Sequence, residues 1–168
     1  MKIDLTTRIK GLTLKNPITV ASGTFGTTDE YAGYVDPKKL GAIITKTITV
    51  KPRTGNPMPR ICETSAGMLN AIGLQNKGLE DFIGHKIPYF RKLGVPLIVS
   101  IAGETAEEFG KLAKTFDGLK DVVEALEVNL SCPNVEAAGV GGMKKQERIT
   151  DAVKAVRDAT DLTVFAKI

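Results

Sequence analysis

A cysteine lies just beyond a hydrophobic segment of this chain, where a reactive thiol would be accessible. Residues 125–130 are mostly apolar, and Cys132 follows them with a carboxamide on each side, Asn129 and Asn134. A structural cysteine is expected within the apolar segment itself, whereas a thiol at the end of a strand can be reached by a ligand. The pattern therefore indicates an enzyme and makes Cys132 a candidate catalytic group.

The rest of the sequence narrows the chemistry of this thiol. The chain has a single histidine, His85, which falls within a predicted helix, so a Cys–His nucleophile pair is disfavoured and zinc lacks ligands. Two interpretations remain for Cys132, a thiolate that accepts a proton or a structural thiol. The second cysteine, Cys62, has no polar partner in the neighbouring sequence, and we interpret it as structural.

Polar or cationic residues end every predicted strand. They are Ser22, Lys46 with Thr47, Ser100, Asn129 and Lys167. Parallel α/β folds bind ligands at the carboxyl ends of their strands, and a lysine within an apolar strand is costly to bury unless an anion or a polar ligand meets it. One such lysine could equally extend to solvent from an edge strand, but the set as a whole favours a ligand site.

A segment rich in proline and glycine, residues 51–76, is predicted to be a long irregular loop. Its second half carries Asn70 and Asn76, separated by glycine and apolar residues. Because each carboxamide offers both a donor and an acceptor, this part of the loop could bind a flat polar heterocycle. Asparagine and glycine could equally serve backbone turns alone.

Hydrophobic periodicity predicts the elements that position these residues. Short β-branched segments alternate with amphipathic helical ones, which is typical of an α/β fold whose parallel sheet is buried on both faces. The predicted strands are residues 17–22, 42–47, 96–101, 125–130 and 162–167.

Helices are predicted between these strands. One covers residues 79–93, a second follows Thr105 as N-cap with Glu108 three residues on, and a third covers 149–156 and begins near a threonine. Residues 3–15 are predicted to form a short hairpin.

Composition and charge exclude several classes of function. The chain has 168 residues, of which 42% are apolar and 25% charged, and it is predicted to form one domain over residues 1–168. The net charge of +4 is scattered and only 5% of residues are aromatic, which argues against a nucleic-acid binder. No apolar run approaches the ~20 residues of a membrane span. No signal peptide is evident, so a cytoplasmic protein with reduced thiols is expected.

Several motifs, in order along the whole chain, resemble the class 1 dihydroorotate dehydrogenases, and most closely subclass 1B, the NAD-linked catalytic subunits. They are Asn16-Pro17, residues 21–26, Lys46-Thr47, residues 55–60, residues 70–74 and residues 129–134. A cysteine at position 132, in place of serine, resembles class 1 and not the membrane-associated class 2. Asn134 separates the chain from the related dihydropyrimidine dehydrogenases, which tend to have histidine there.

The resemblance implies a (β/α)8 TIM barrel that binds FMN at its carboxyl-terminal face and oxidises dihydroorotate to orotate in pyrimidine biosynthesis. It implies that Cys132 is the general base for the C5 proton, while a hydride passes from C6 to the flavin. The FMN-binding residues that it implies are Ser22, Lys46, Thr47, Asn129 and Lys167. The implied substrate-binding residues are Lys46, Asn70, Ala71, Ile72, Gly73, Leu74 and Asn129.

The resemblance also implies partner chains. Subclass 1B works with an iron–sulfur subunit that contains FAD and passes electrons to NAD, in a heterotetramer built on a homodimer of catalytic subunits. Neither nucleic acid nor a membrane is an expected partner.

The chain departs from the family pattern in two respects. Ser100 stands where the family usually has asparagine, so a flavin contact there is expected to be absent or bridged by water. A (β/α)8 barrel needs about 250 residues, and only about the first five β/α units are predicted in this chain. We therefore expect an incomplete, truncated barrel that binds FMN weakly or not at all. The alternative functions are a non-catalytic fragment without flavin and a flavin-dependent reductase of another pyrimidine.

Overall fold

A parallel β-sheet forms the centre of the fold. The computed structural model describes residues 3–31, 33–131 and 145–168. The strands in chain order are β1 (Thr7–Ile9), β2 (Leu12–Leu14), β3 (Ile43–Ile44), β4 (Ile61–Thr64), β5 (Gly67–Asn70), β6 (Leu97–Ile101), β7 (Val123–Asn129) and β8 (Thr163–Lys167). Strands β3, β6, β7 and β8 lie side by side in that order and are all parallel. The α/β class with a parallel sheet is confirmed.

The helices connect the strands of this sheet. They are α1 (Gly78–Asp81), which continues through a π-helical segment (Phe82–Lys86) into α2 (Ile87–Leu93), then α3 (Ala106–Asp117) and α4 (Lys145–Ala159). The Thr105 side chain accepts a hydrogen bond from the backbone N–H of Glu108, as the N-cap prediction requires. The prediction that the last helix begins near a threonine is wrong, because Thr150 lies inside α4.

The helices cover one face of the sheet. Leu126 and Val128 of β7 and Val99 of β6 are fully buried there, and they belong to one core with the apolar side chains of the helices. Phe116 of α3 is also fully buried and meets Phe82 edge to face, with ring centroids 5.9 Å apart. The nearly continuous apolar sequence of these strands follows from burial on both faces.

The β1–β2 hairpin covers part of the other face, which we call the hairpin face. Leu12 and Leu14 of β2 pack against Ile98, Ala125 and the other apolar residues at the amino-terminal end of the sheet. The Thr163 hydroxyl donates to the carbonyl of Lys10 in the turn at 2.9 Å. The predicted hairpin is therefore confirmed, and it closes the amino-terminal end of the hairpin face.

Three predicted segments differ in the structure. Of the predicted strand 42–47, only β3 (Ile43–Ile44) forms a ladder. Residues 17–22 lie beside β3 with a single parallel bridge, Thr19 to Ala42; Pro17 lacks a donor for the ladder, and the chain turns where Thr24 N–H donates to Ala21. Residues 51–76 are not irregular throughout, because β4 and β5 form an antiparallel hairpin within them. Pairing between the two strands satisfies the backbone N–H and C=O groups of this exposed segment. The amino-acid composition gave no indication of this pairing.

Candidate functional site

The hairpin face changes from apolar to polar along the strands. Because side chains alternate between faces and the strands are in parallel register, residues two apart lie on the same face. Ile98 is therefore followed by Ser100, Ala125 by Glu127 and Asn129, and Phe165 by Lys167; the register pairs Ser100 with Glu127 and Asn129 with Lys167. The carboxyl ends of three strands thus bring polar groups together above an apolar base.

Four of these polar side chains form one chain of hydrogen bonds, which we call the sheet relay: Asn129, Thr47, Ser100 and Glu127. The Asn129 amide nitrogen donates to the Thr47 hydroxyl at 3.1 Å, the Thr47 and Ser100 hydroxyls lie 3.0 Å apart, and the Ser100 hydroxyl donates to the Glu127 carboxylate at 2.7 Å. All four residues are buried. Burial of so many polar atoms is tolerated because each has a partner.

Lys167 lies beside this relay, at the end of β8. Its ammonium group donates to the Ser22 hydroxyl at 2.8 Å and is 3.7 Å from the Glu127 carboxylate. Ser22 and Lys167 are 145 positions apart in sequence, so the contact joins the first predicted strand end to the last. Both residues were predicted to bind the cofactor, and the structure places them together.

Lys46 contributes a second cation at the same end of the sheet. Its side chain is half-buried, and no acidic side chain among residues 3–31, 33–131 and 145–168 contacts it. Burial lowers the pKa of Lys46, and the positive charge of Arg60 lowers it further. A Cβ on Gly23 would come 3.7 Å from its ammonium nitrogen, so the amine lies against the turn after Ser22. An uncompensated cation of this kind favours an anionic or electron-rich ligand.

The predicted substrate-binding segment, residues 70–74, is held by the first half of the long loop. Ala71 N–H donates to the carbonyl of Arg60 at 2.9 Å, and the Asn56 side chain donates to the carbonyl of Ala71 at 2.7 Å. Gly73 has a φ of +75°, and a Cβ there would come 2.8 Å from the backbone nitrogen of Asn56, so only glycine fits.

Arg60 links this segment to the cationic part of the site. Its guanidinium donates to the carbonyl of Asn56 at 3.1 Å and to the Gln75 side chain, while its charge acts on Lys46. Asn70 is exposed at the end of β5. Of the predicted substrate residues, the structure therefore fixes the backbone of 71–73, and among the described residues it leaves the Asn70 side chain exposed.

The two cysteines have different outcomes. Cys132 and Asn134 lie outside the described residues, so the catalytic role of Cys132 stays a prediction. Ser131, the last described residue before them, donates through its hydroxyl to the Asn129 carbonyl oxygen at 3.0 Å. Cys62 is exposed on β4, so its interpretation as a structural thiol is wrong.

His85 is a surface residue of the π-helical segment. Its ring nitrogen is 3.1 Å from the Asp81 carboxylate one helical turn away, and its side chain is mostly exposed. No cluster of three or more metal-binding side chains occurs among the described residues. Within the same residues, no helix is long and apolar enough to cross a membrane.

Glu127 was not predicted to belong to the site. A carboxylate inside an apolar strand was the available indication, since such a group is rarely buried without a partner. The partner of Glu127, Ser100, was recognised as a polar strand end and as a departure from the family pattern, but its contact with Glu127 was not predicted. The structure shows that the serine hydroxyl, fully buried, connects Glu127 to the predicted cofactor residues Thr47 and Asn129.

Comparison with known proteins shows the family of this chain. The profile of a protein family described as dihydroorotate dehydrogenase matches residues 4–168. The chain belongs to the dihydroorotate dehydrogenase family. Its sequence is 49% identical over 168 residues to the catalytic subunit of dihydroorotate dehydrogenase B (NAD(+)) of Desulforudis audaxviator, covering 100% of this chain and 54% of that protein.

Other relatives carry the same name. The catalytic subunit from Geobacter metallireducens is 47% identical over 165 residues, which cover 98% of this chain and 54% of the relative. That from Desulforamulus reducens is 46% identical over 168 residues, which cover 100% of this chain and 55% of the relative. The chain thus spans about half the length of the curated relatives that it matches.

Proposed function

We propose that the protein containing these residues is the catalytic subunit of an NAD-linked dihydroorotate dehydrogenase, which oxidises dihydroorotate to orotate in pyrimidine biosynthesis. Membership of the family supports the reaction. The observation that carries the proposal is the meeting of Ser22, Lys46, Thr47, Asn129 and Lys167 around the carboxyl ends of the parallel strands.

The chemistry of these side chains fits FMN. An isoalloxazine ring presents carbonyl oxygens and ring nitrogens along its pyrimidine edge, and it becomes more negative on reduction. Two lysines, of which Lys46 has no acidic partner among the described residues, match that edge as cations, and the Asn129 amide and the Thr47 and Ser22 hydroxyls supply neutral donors. When bound, FMN would supply the acceptor for the hydride from C6 of the substrate.

Residues of this chain would bind the substrate and remove its proton. Lys46, Asn129 and residues 70–74 would bind and orient dihydroorotate, since they offer a cation, carboxamides and backbone groups to a ring with a carboxylate. The Cys132 thiolate would accept the C5 proton from the opposite side of the substrate, and a positioned base of this kind contributes about 10²–10⁴-fold in rate. Ser100, which lies between Thr47 and Glu127, would hold the Thr47 hydroxyl in place from beneath the ligand.

The proposal includes the architecture and the partners. The parallel sheet would be part of a (β/α)8 barrel, with residues 1–168 as a single domain containing its first five β/α units, in the cytoplasm. Electrons would leave through a partner subunit with FAD and an iron–sulfur centre and pass to NAD, in a heterotetramer that contains two catalytic subunits. The names of the similar proteins, which are catalytic subunits of NAD(+) enzymes, support this arrangement.

The test is an assay of the full-length protein that contains these residues. Purified protein should show a stoichiometric flavin spectrum, and dihydroorotate under anaerobic conditions should bleach it. Cys132→Ala should retain the flavin but reduce it at least about 10²-fold more slowly. Protein without flavin would support the non-catalytic alternative, and bleaching by another dihydropyrimidine but not by dihydroorotate would support the reductase. An unaffected rate in Cys132→Ala would remove this residue as the base.

A further inference from the structure

The hydroxyl protons of the sheet relay all point the same way, and the Glu127 end of the relay sets that direction. The Glu127 carboxylate, with the Lys167 ammonium 3.7 Å away, is an acceptor only, so Ser100 must give it its single hydroxyl proton. Ser100 can then only accept from Thr47, and Thr47, whose proton is thereby used, can only accept from Asn129. Each step leaves one arrangement, because a hydroxyl has one proton to donate.

This direction determines how the Asn129 carboxamide is oriented. Its amide nitrogen must face the Thr47 hydroxyl, at 3.1 Å, and its carbonyl oxygen then faces Ser131, whose hydroxyl donates to it at 3.0 Å. If the side chain at position 127 donated a hydrogen bond instead of accepting one, the hydroxyl protons of Ser100 and Thr47 could point the opposite way. The carboxamide could then turn over and exchange the donor and acceptor that it presents to a ligand.

We propose that Glu127 is a positioning residue for the candidate site: through Ser100 and Thr47 it fixes which end of the Asn129 carboxamide faces the ligand, and by direct contact it holds Lys167. The inference rests on the proposed function in that Asn129 and Lys167 are expected to meet the flavin and the substrate. Glu127 itself is buried and acts only through these neighbours.

The position of Ser100 explains why the relay is continuous. Its hydroxyl bridges two strands, because Thr47 follows β3 and Glu127 lies on β7, while its backbone N–H donates to the Thr45 hydroxyl at 3.1 Å. Removing the hydroxyl would leave the Glu127–Lys167 contact in place but separate both residues from Thr47 and Asn129. Ser100→Ala therefore isolates the effect on Asn129 from the effect on Lys167.

The first measurement is made on the full-length protein and requires no flavin. Solvent exchange of the Asn129 side-chain amide protons is followed by NMR, with the resonance assigned by its loss in Asn129→Asp. Exchange should be about tenfold faster in Glu127→Leu and in Ser100→Ala than in the unsubstituted protein, since the Thr47 hydroxyl can then donate to the Asn129 carboxamide and no longer holds its amide protons in a buried hydrogen bond. Unchanged exchange in both variants would overturn the proposal, whether or not the protein binds flavin.

The second measurement is the affinity for orotate, followed by the absorbance change of the flavin. Glu127→Leu should raise the dissociation constant about tenfold, and Glu127→Gln, which keeps an acceptor oxygen for Ser100, should raise it less. The double variant Glu127→Leu/Ser100→Ala should bind no more weakly than Glu127→Leu, because both changes break the same relay. Additive losses would mean that Glu127 does not act through Ser100 and would overturn the proposal.

The outcomes separate this proposal from the proposed function. An unsubstituted protein without flavin, but with protected Asn129 amide protons that Ser100→Ala releases, would refute the dehydrogenase and leave the positioning role standing. If Glu127→Leu fails to fold, Glu127→Gln and Ser100→Ala alone decide the result. In that case unchanged orotate affinity and unchanged amide exchange in both would refute the positioning role.

Discussion

Replacement of Lys46 by methionine should stabilise the flavin-free protein while it weakens binding of the flavin. Methionine keeps most of the length of the side chain and removes its charge. In the structure that charge is half-buried, close to the Gly23 turn, and repelled by Arg60. A cation held in this way raises the free energy of the folded protein until a ligand compensates it.

The gain in stability from Lys46→Met is limited because the Lys46 amine is partly exposed to solvent. Solvent screens a half-exposed charge, so the free energy of unfolding of the flavin-free protein should rise by about 0.5–1 kcal/mol. The loss of ligand binding should be larger, because a hydrogen bond to a charged group contributes about 1.5–3 kcal/mol. We therefore expect flavin affinity to fall about 10–100-fold.

The pH dependence of stability provides a further check on the cause. The folded-state pKa of Lys46 lies below its usual value of 10.5, so the folded protein releases this proton before the unfolded chain does. The destabilisation of the folded protein by the Lys46 charge is therefore fully present below the folded-state pKa of Lys46, and it is relieved as the pH rises from there towards 10.5. The advantage of Lys46→Met should be complete at neutral pH and should shrink in alkaline solution.

The assay is urea denaturation of the full-length protein, with and without saturating FMN. Lys86→Met is the matched control, because Lys86 is also partly buried but contacts Asp29 at 2.7 Å, so its removal leaves a carboxylate without a partner and should destabilise the protein. If Lys46→Met destabilises the flavin-free protein as much as Lys86→Met does, the conclusion that Lys46 lacks a compensating partner among the residues that the structure describes is refuted.

Three further predictions concern the fold and use the same assay. Thr105→Ala should lower the free energy of unfolding by about 1 kcal/mol by removing the N-cap of α3, and Thr105→Ser should restore most of it; equal losses would contradict the cap. Phe116→Ala should cost about 3–5 kcal/mol by opening a cavity, and Phe116→Leu clearly less; a loss below about 1 kcal/mol would contradict its burial. Burial acts to raise the pKa of Asp29, but hydrogen bonds from Lys86 and Thr27 outweigh it and hold that pKa below 3.8. Asp29→Asn should therefore destabilise the protein at neutral pH, and the difference should vanish as the pH falls through the folded-state pKa; a constant difference would exclude the ion pair as its cause.

Local patterns were sufficient to predict most of the secondary structure. The strands at residues 96–101 and 125–130 were recognisable because a parallel strand buried on both faces must be almost continuously apolar. The N-cap at Thr105 was recognisable because its bond to Glu108 spans only three positions. The β4–β5 hairpin was not predicted, since its pairing joins exposed residues with no periodic apolar pattern.

The sequence by itself determined which polar groups follow the apolar segments and therefore lie at the carboxyl edge of the sheet. Only the tertiary structure decided how they meet. Ser22 reaches Lys167 and Thr47 reaches Ser100 across large separations in the chain, and these contacts depend on the order of the strands. The role of Glu127 follows for the same reason: within its strand it is one carboxylate among apolar residues, and only the neighbouring strands make it the acceptor that orders the site.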